Sequence, residues 1–338
     1  MKKIIYLILI IFLISGCSRP LENVPTNELV PSNEQIIPPD YSNQLPREMP
    51  ESPGHAIVDE PEVVQLVSKW KIGGSAIPGN YADADIIKLD DGKYRMYYSP
   101  EPEVPGFKGQ IYSALSSDGI TWSQESGERK QGATFPSLIK LSDGKYRMYF
   151  QSQGVINSAS SSDGLNWKDD SGTRIDTQNN VGLNLDNVAA PTVIKFDNQY
   201  LMVYRGTINE KYPGQVPNNN IQLLLWAVSS DGLKFDKKGI ALDSRNDEFQ
   251  GLLDGPELVT WDDGSLSLYF WSYKGVYHVQ FENGKFSQTS EFDFTTSTNP
   301  RMIFPENPPG DPTITRIGNK WFMYYGQHKE GIFYATIG

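Results

Sequence analysis

Five carboxylates of the sequence recur at one place in a repeated pattern, and their type and spacing suit acid–base chemistry. Each lies within two residues of the start of a short apolar run, a position that is proline in four of the five copies. The five acids are Asp83, Asp85, Asp254, Glu257 and Asp311. Carboxyl groups that share one site raise each other's pKa, so that one can stay protonated while its neighbour is ionised. The sequence therefore predicts an acid–base site, provided that the fold brings some of these acids together.

The acids belong to a repeat that predicts the fold. Its plainest copy is Pro136–Phe150, in which Asp143-Gly144 joins an alternating apolar strand to an aromatic strand, a pattern typical of a β-hairpin. The first strands of the copies span 82–89, 134–141, 189–196, 254–261 and 310–317. Copies follow one another at about 50 to 65 residues, which is typical of propeller blades. We predict an all-β, five-bladed β-propeller, in which the first strands line the central axis.

A second repeat predicts the outer part of the blades. Ser-Ser-Asp-Gly followed by an aromatic residue occurs at 116–122, 161–167 and 229–235, and indicates a structural turn between third and fourth strands. Asn283-Gly284 takes the corresponding place in the fourth copy. In the fifth copy Gly331–Ile337 is the predicted third strand, and we expect Glu62–Val67 to supply the missing outer strand and close the ring.

The N-terminus predicts lipid anchoring. Met1-Lys2-Lys3 precedes the apolar run Ile4–Ile14, which is short for a membrane span, and Leu-Ile-Ser-Gly-Cys17 resembles the bacterial lipobox. We predict a lipoprotein signal peptide over 1–16, an acylated Cys17 with a flexible Pro-rich linker over 17–61, and the propeller over 62–338. The expected location is the bacterial cell envelope, with the folded domain outside the cytoplasm and the membrane reached through the N-terminal lipid.

Composition excludes several other classes of function. The net charge of −11 argues against a nucleic-acid partner. His55, His278 and His328 form no ligand motif, and no phosphate-binding glycine loop or serine nucleophile motif occurs, so we predict no metal and no cofactor. Asp118-Gly119 are adjacent, whereas the Asp box of sialidases has one residue between them, which makes a sialidase the less favoured interpretation. The sequence does not indicate an oligomeric state.

With Asp83 in the first copy and Asp254-Gly-Pro256 in the fourth, residues 70–338 resemble the glycosidase superfamily of arabinanases, xylosidases, levansucrases and invertases. The resemblance implies glycoside hydrolysis, which needs two carboxyl groups across the scissile bond. It implies that Asp83 is the general base and that Asp254 takes the place of the acid. Asp85, Glu257 and Asp311 are the alternates.

The chain also departs from this family. Ala84 stands in place of a proline, Asp254 in place of a longer Glu, and Ala190 in place of an Asp that tunes the acid. A misplacement of about 1 Å can cost roughly a hundredfold in rate. Two functions therefore stay open, a glycosidase and a non-catalytic carbohydrate-binding propeller. For either one, the predicted substrate-binding side chains are Tyr81, Phe135, Arg205, Trp226 and Trp271.

Overall fold

The computed structural model describes residues 68–180, 182–214, 220–297 and 307–338, in which every regular element is a β-strand. The strands form five antiparallel sheets, one for each blade. The predicted signal peptide, Cys17 and the linker lie outside the described residues. No helix within the described ranges is long and apolar enough to cross a membrane.

The strands, in chain order, fill the blades one after another. The first strand, β1 (Lys71–Pro78), joins the last blade. Blade 1 contains β2 (Tyr81–Lys88), β3 (Tyr94–Pro100), β4 (Gln110–Ser116), β5 (Ser123–Gln124) and β6 (Lys130–Gln131). Blade 2 contains β7 (Thr134–Lys140), β8 (Tyr146–Ser152), β9 (Val155–Ser161) and β10 (Lys168–Asp169). Blade 3 contains β11 (Leu185–Phe196), β12 (Gln199–Lys211), β13 (Asn220–Ser229) and β14 (Asp236–Leu242). Blade 4 contains β15 (Asp254–Thr260), β16 (Leu266–Ser272), β17 (Gly275–Glu282), β18 (Lys285–Phe286) and β19 (Glu291–Phe294). Blade 5 contains β20 (Gly310–Ile317), β21 (Lys320–Gln327) and β22 (Gly331–Ile337).

The predicted five-bladed propeller is confirmed, and its closure uses a different strand from the expected one. β1 pairs with β22, from Lys71 opposite Thr336 to Pro78 opposite Gly331, and so completes blade 5. The predicted closing segment, Glu62–Val67, lies outside the described residues. Strand β1 lacks a regular alternation because of the two irregularities in its register, and this explains why its sequence did not indicate a strand.

The second strand of each blade is packed on both faces, and this explains its continuous aromatic and apolar sequence. All seven residues of β3 are buried, because the neighbouring blades cover both sides of a blade. The Asp-Gly turns add hydrogen bonds between blades. The hydroxyl groups of Tyr97, Tyr149 and Tyr324 donate to the carbonyl oxygens of Gly164, Gly232 and Gly119, at 2.7, 2.9 and 2.6 Å. The structural interpretation of these turns is therefore confirmed.

Candidate active site

One backbone conformation recurs where the first strand of each blade reaches the axis. The residue before the proline position has a positive φ in all five blades: 56° at Asp83, 52° at Phe135, 45° at Ala190, 52° at Gly255 and 46° at Asp311. The strand register shifts at the same place in every blade, as expected for a β-bulge. A left-handed conformation is unfavourable for residues other than glycine and is concentrated at functional sites in proteins.

Three of these five bulges form the floor of a large pocket at one end of the axis. The cavity has a volume of about 810 Å³, and Asp83, Phe135 and Asp311 line it. Its walls include residues that follow the second strands or lie near their ends, such as Trp271 of blade 4, and also Arg205 from the middle of the long second strand of blade 3. Two carboxyl groups, two aromatic rings and a guanidinium group thus converge on one cavity, although they come from five different blades.

Asp83 is half-buried in this floor, and its surroundings favour the protonated form. Burial raises the pKa of Asp83 well above its ordinary value, and the nearby carboxylates of Asp311 and Asp254 raise it further. The positive charge of Arg205 and a hydrogen bond from the Phe135 backbone act in the opposite direction and are outweighed. Asp83 therefore keeps its proton to a higher pH than an ordinary aspartic acid does.

Asp311 occupies the same position of the repeat as Asp83, one blade away. Burial, followed by the charge of Asp254, raises the pKa of Asp311 to about 7. The indole Nε1–H of Trp271 donates a hydrogen bond of 3.1 Å to Asp311 Oδ1 and lowers this pKa in part. Asp83 and Asp311 raise each other's proton affinity, so at neutral pH the pair can hold one proton and one negative charge.

Asp254 lies one residue before its bulge and therefore has a different environment from Asp83 and Asp311. It is buried and forms an ion pair with Arg205, and its Oδ1 accepts the backbone N–H of Gly255 at 2.8 Å. The Arg205 guanidinium in turn lies over the Phe135 ring, 5.5 Å from its centroid. Asp254 thus holds the cation that forms part of the pocket wall.

Asp85 and Glu257 lie deeper along the axis and join the blades. The N–H groups of Leu138 and Ile314, each in the next blade, donate to Asp85 Oδ2 and Glu257 Oε1. The hydroxyls of Ser137 and Thr192 accept N–H groups of Val193 and Leu258 in the same manner, each at 3.0 Å. Burial raises the pKa of Asp85 to about 7 and of Glu257 to about 8. These two alternates line a cavity of only about 30 Å³, which has room for about one water.

The predicted substrate-binding residues separate into two groups. Phe135, Arg205 and Trp271 line the pocket, whereas Tyr81 and Trp226 do not. Tyr81 packs edge-to-face against Tyr98 and Tyr112, with centroid distances of 5.1 and 6.4 Å. Trp226 lies on the third strand of blade 3 and packs against Phe281 and Phe286 of blade 4, at 6.0 and 5.8 Å. Neither ring lines the pocket in this structure, because both pack against the hydrophobic core at half-buried positions.

Among the polar residues of the pocket that sequence reasoning missed, three form a cluster. Glu101 and Glu103 follow β3, and His328 follows β21 in the neighbouring blade. Their side-chain ligand atoms all lie within 4.8 Å of one another. Their position in the repeat could have indicated them, because each comes shortly after the second strand of its blade. That strand ends on the side of the blade where the acids lie.

Similarity to solved structures is found at the level of the fold. One structure belongs to the GH130 family of mannoside phosphorylases, which contains glycoside hydrolases that target β-1,2-mannosidic linkages in Candida mannan. It has a TM-score of 0.56 and 14% identity over 80% of this chain and 93% of the other. A thermostable family-43 glycoside hydrolase also has a TM-score of 0.56, with 16% identity over 79% and 91%. A putative glycosidase from Bacteroides thetaiotaomicron has 0.54, with 15% identity over 82% and 95%.

These comparisons show that the chain has the propeller fold of glycoside hydrolases. No protein-family model and no curated protein sequence matches the chain. The low identities limit the similarity to the fold, because function depends on the site built upon a fold and not on the fold itself.

Proposed function

We propose that the protein is a glycoside hydrolase in which Asp83 and Asp311 are the catalytic carboxyl groups. The observation that carries this proposal is that both acids lie at equivalent strained positions of the pocket floor and both have raised pKa values. Glycosidases need one protonated and one ionised carboxyl group beside the scissile bond. Of the five acids identified in the sequence, these two alone line the large pocket.

The surroundings of the two acids suggest their roles. Asp83, with its proton retained by burial and by neighbouring negative charges, donates that proton to the glycosidic oxygen. Asp311, whose ionised form accepts the Trp271 N–H, supplies the carboxylate. Phe135 and Trp271 provide apolar surface for the faces of sugar rings. These roles differ from those implied by the family resemblance, in which the acid of blade 1 is the base.

Replacement of the two acids tests this proposal. The protein is first screened on aryl arabinosides, xylosides, galactosides and mannosides and on fructans, with and without phosphate. Asp83→Asn and Asp311→Asn should each lower kcat/KM by about 10²- to 10⁴-fold. Asn tolerates a left-handed backbone, so the circular dichroism and Tm should stay close to wild type. Asp143→Asn, in an exposed turn, is the matched control and should keep full activity. Full activity of both pocket variants would exclude this assignment.

A non-catalytic carbohydrate-binding propeller is the second candidate. It is favoured because Asp254, which takes the place of the acid in the glycosidase superfamily, is engaged in an ion pair with Arg205. It is also favoured because Ala190 stands at the bulge of blade 3, where that superfamily has an Asp. Calorimetry with oligosaccharides separates the two functions. Saturable binding without turnover of any substrate, unchanged in Asp83→Asn, would favour binding alone.

We also propose that the domain is tethered to the cell envelope through an acylated Cys17. The support is the sequence Leu-Ile-Ser-Gly-Cys17 after an apolar run. Mass spectrometry of the protein from a bacterial host should find the lipid on the N-terminal cysteine, and Cys17→Ala should move the protein from the membrane fraction to the soluble fraction. A soluble wild-type protein would exclude the tether.

A further inference from the structure

We propose that Glu101, Glu103 and His328 bind one divalent transition-metal ion, of the Zn²⁺ or Mn²⁺ class, at the rim of the pocket. The three residues come from two neighbouring blades, and sequence reasoning had predicted no metal. The proposal does not depend on hydrolysis, because it concerns side chains that take no part in the proposed proton transfer.

The spacing of the ligand atoms suits a single ion. All three lie within 4.8 Å of one another. Ligands bind such ions at about 2.0 to 2.4 Å, so two atoms on opposite sides of one ion are separated by at most about 4.8 Å. An imidazole nitrogen with two carboxylates is a ligand set that favours Zn²⁺ or Mn²⁺ over Ca²⁺ and Mg²⁺, which prefer oxygen alone.

The two anchoring ligands are already held in position. Glu101 is buried, and its two carboxylate oxygens accept the backbone N–H of Lys329 at 3.0 and 3.1 Å. The backbone N–H of His328 donates to Asn307 Oδ1 at 3.0 Å, and Asn307 Nδ2 donates to the carbonyl oxygen of His328 at 3.1 Å. Such contacts around the ligands fix their orientation before an ion arrives, which increases affinity.

The charge of Glu101 provides an independent argument. Among the ion pairs of the described residues, its buried carboxylate faces only the His328 imidazole, with Glu101 Oε1 and His328 Nδ1 3.3 Å apart. A buried carboxylate is stabilised by a nearby cation. A divalent ion bound to the imidazole and both carboxylates would supply such a cation at Glu101.

The position beside the cavity indicates a role for the ion. All three residues line the same pocket of about 810 Å³ as Asp83 and Asp311. Three protein ligands leave coordination positions open, and these can accept oxygen atoms of a ligand in the cavity. The ion would therefore fix one end of a hydroxyl-rich ligand whose other end lies on the pocket floor.

Direct binding measurements test the site without any activity assay. The full chain is freed of metal by a chelator and titrated with Zn²⁺ by calorimetry and with Mn²⁺ by electron paramagnetic resonance. We expect a saturable site with one ion per chain. Glu103→Gln and His328→Gln, at exposed positions that should not affect folding, should each weaken binding at least tenfold. Glu282→Gln, at an exposed carboxylate of blade 4, is the control and should bind as wild type.

Two results would overturn the proposal. One is the absence of saturable binding of either ion to a folded wild-type chain. The other is binding that Glu103→Gln and His328→Gln leave unchanged, which would place the ion elsewhere. Hydrolysis lost in Asp83→Asn with metal binding retained would show that the two sites act separately, and would support a metal site independent of the catalytic pair.

Discussion

Asp254 illustrates how a shift of one residue changes what a carboxylate can do. Asp83 and Asp311 occupy the bulge itself, whereas Asp254 precedes Gly255 and pairs with Arg205. Its charge nevertheless raises the pKa of both pocket acids. Asp254 is therefore a positioning residue in our assignment, although the family resemblance placed it in direct contact with substrate.

The variant Asp254→Asn separates these two roles. Removal of its negative charge should lower the pKa of Asp83, and the unpaired Arg205 should lower it further. The proton needed for catalysis is then lost at a lower pH, so the alkaline limb of the pH–rate profile should move towards acid. Initial rates measured from pH 4 to 9 give the profile.

Arg205→Met provides the reverse comparison, because loss of the cation should move the same limb towards higher pH. A 10³-fold loss of activity in Asp254→Asn with an unmoved limb would contradict the positioning role. It would support Asp254 as a direct catalyst, as the sequence indicated.

At the scale of the strands, the axis is held by side chains that bridge consecutive blades. Asp85, Ser137, Thr192 and Glu257 each accept a backbone N–H from the next blade. Glu257 also accepts hydroxyl hydrogens from Thr192 and Thr313, each at 3.1 Å. Burial and the charge of Asp85 raise the pKa of Glu257 to about 8, so the folded protein holds a proton that the unfolded chain releases.

Glu257→Gln should change how stability depends on pH. The pKa of Glu257 is raised from 4.5 to about 8, so between these values the folded state binds more protons than the unfolded state. The free energy of unfolding of the wild type should therefore fall as the pH rises through this window. Glutamine has nearly the same shape and does not titrate, so the variant should lose part of this slope and gain stability relative to wild type at pH 9.

Urea denaturation at pH 5, 7 and 9 measures the effect. The exposed variant Glu282→Gln should keep the wild-type slope. Equal slopes in Glu257→Gln and wild type would show that Glu257 does not retain its proton in the fold.

The elements were more predictable than the site. The hairpin of Pro136–Phe150 and its copies are local patterns, and local patterns determine the blades. Trp226 was misplaced because periodicity does not tell which aromatic rings face a pocket and which fill the space between blades. Only Gly255 could have suggested the bulge, since Phe135 and Ala190 rarely adopt a positive φ, and an Asp occurs in many other conformations. Glu101 and His328 are far apart in sequence, and the closed ring alone brings them together.

At the scale of the whole molecule, the ring depends on its closing strand. β1 covers the edge of β22, and Ile77 of β1 is almost completely buried in the core that blades 5 and 1 share. An uncovered strand edge exposes backbone groups and promotes aggregation.

Deletion of residues 71–78 should therefore lower the Tm by about 10 °C or more, because it removes a strand and its buried side chains. Thermal denaturation followed by circular dichroism measures the change, and light scattering detects association through the exposed edge of β22. A deletion of equal length in the Pro-rich segment, residues 41–48, is the control and should leave the Tm unchanged. Equal Tm values for the two deletions would show that β1 does not contribute to closure.

The five bulges have a consequence for how the pocket can change. The same left-handed backbone is present in blade 3, which has Ala190 there, and in blade 2, which has Phe135. The same backbone position thus recurs in every blade. The positions at Asp83, Phe135 and Asp311 line the large cavity, whereas those at Ala190 and Gly255 line only the smaller one, and these recurring positions serve as sockets whose side chains determine the chemistry. Ala190→Asp would add a third carboxyl group on a backbone already shaped for it, as Asp is among the residues that tolerate this conformation best. New specificities can arise in such a molecule by single exchanges at these sockets, without any rebuilding of the blades.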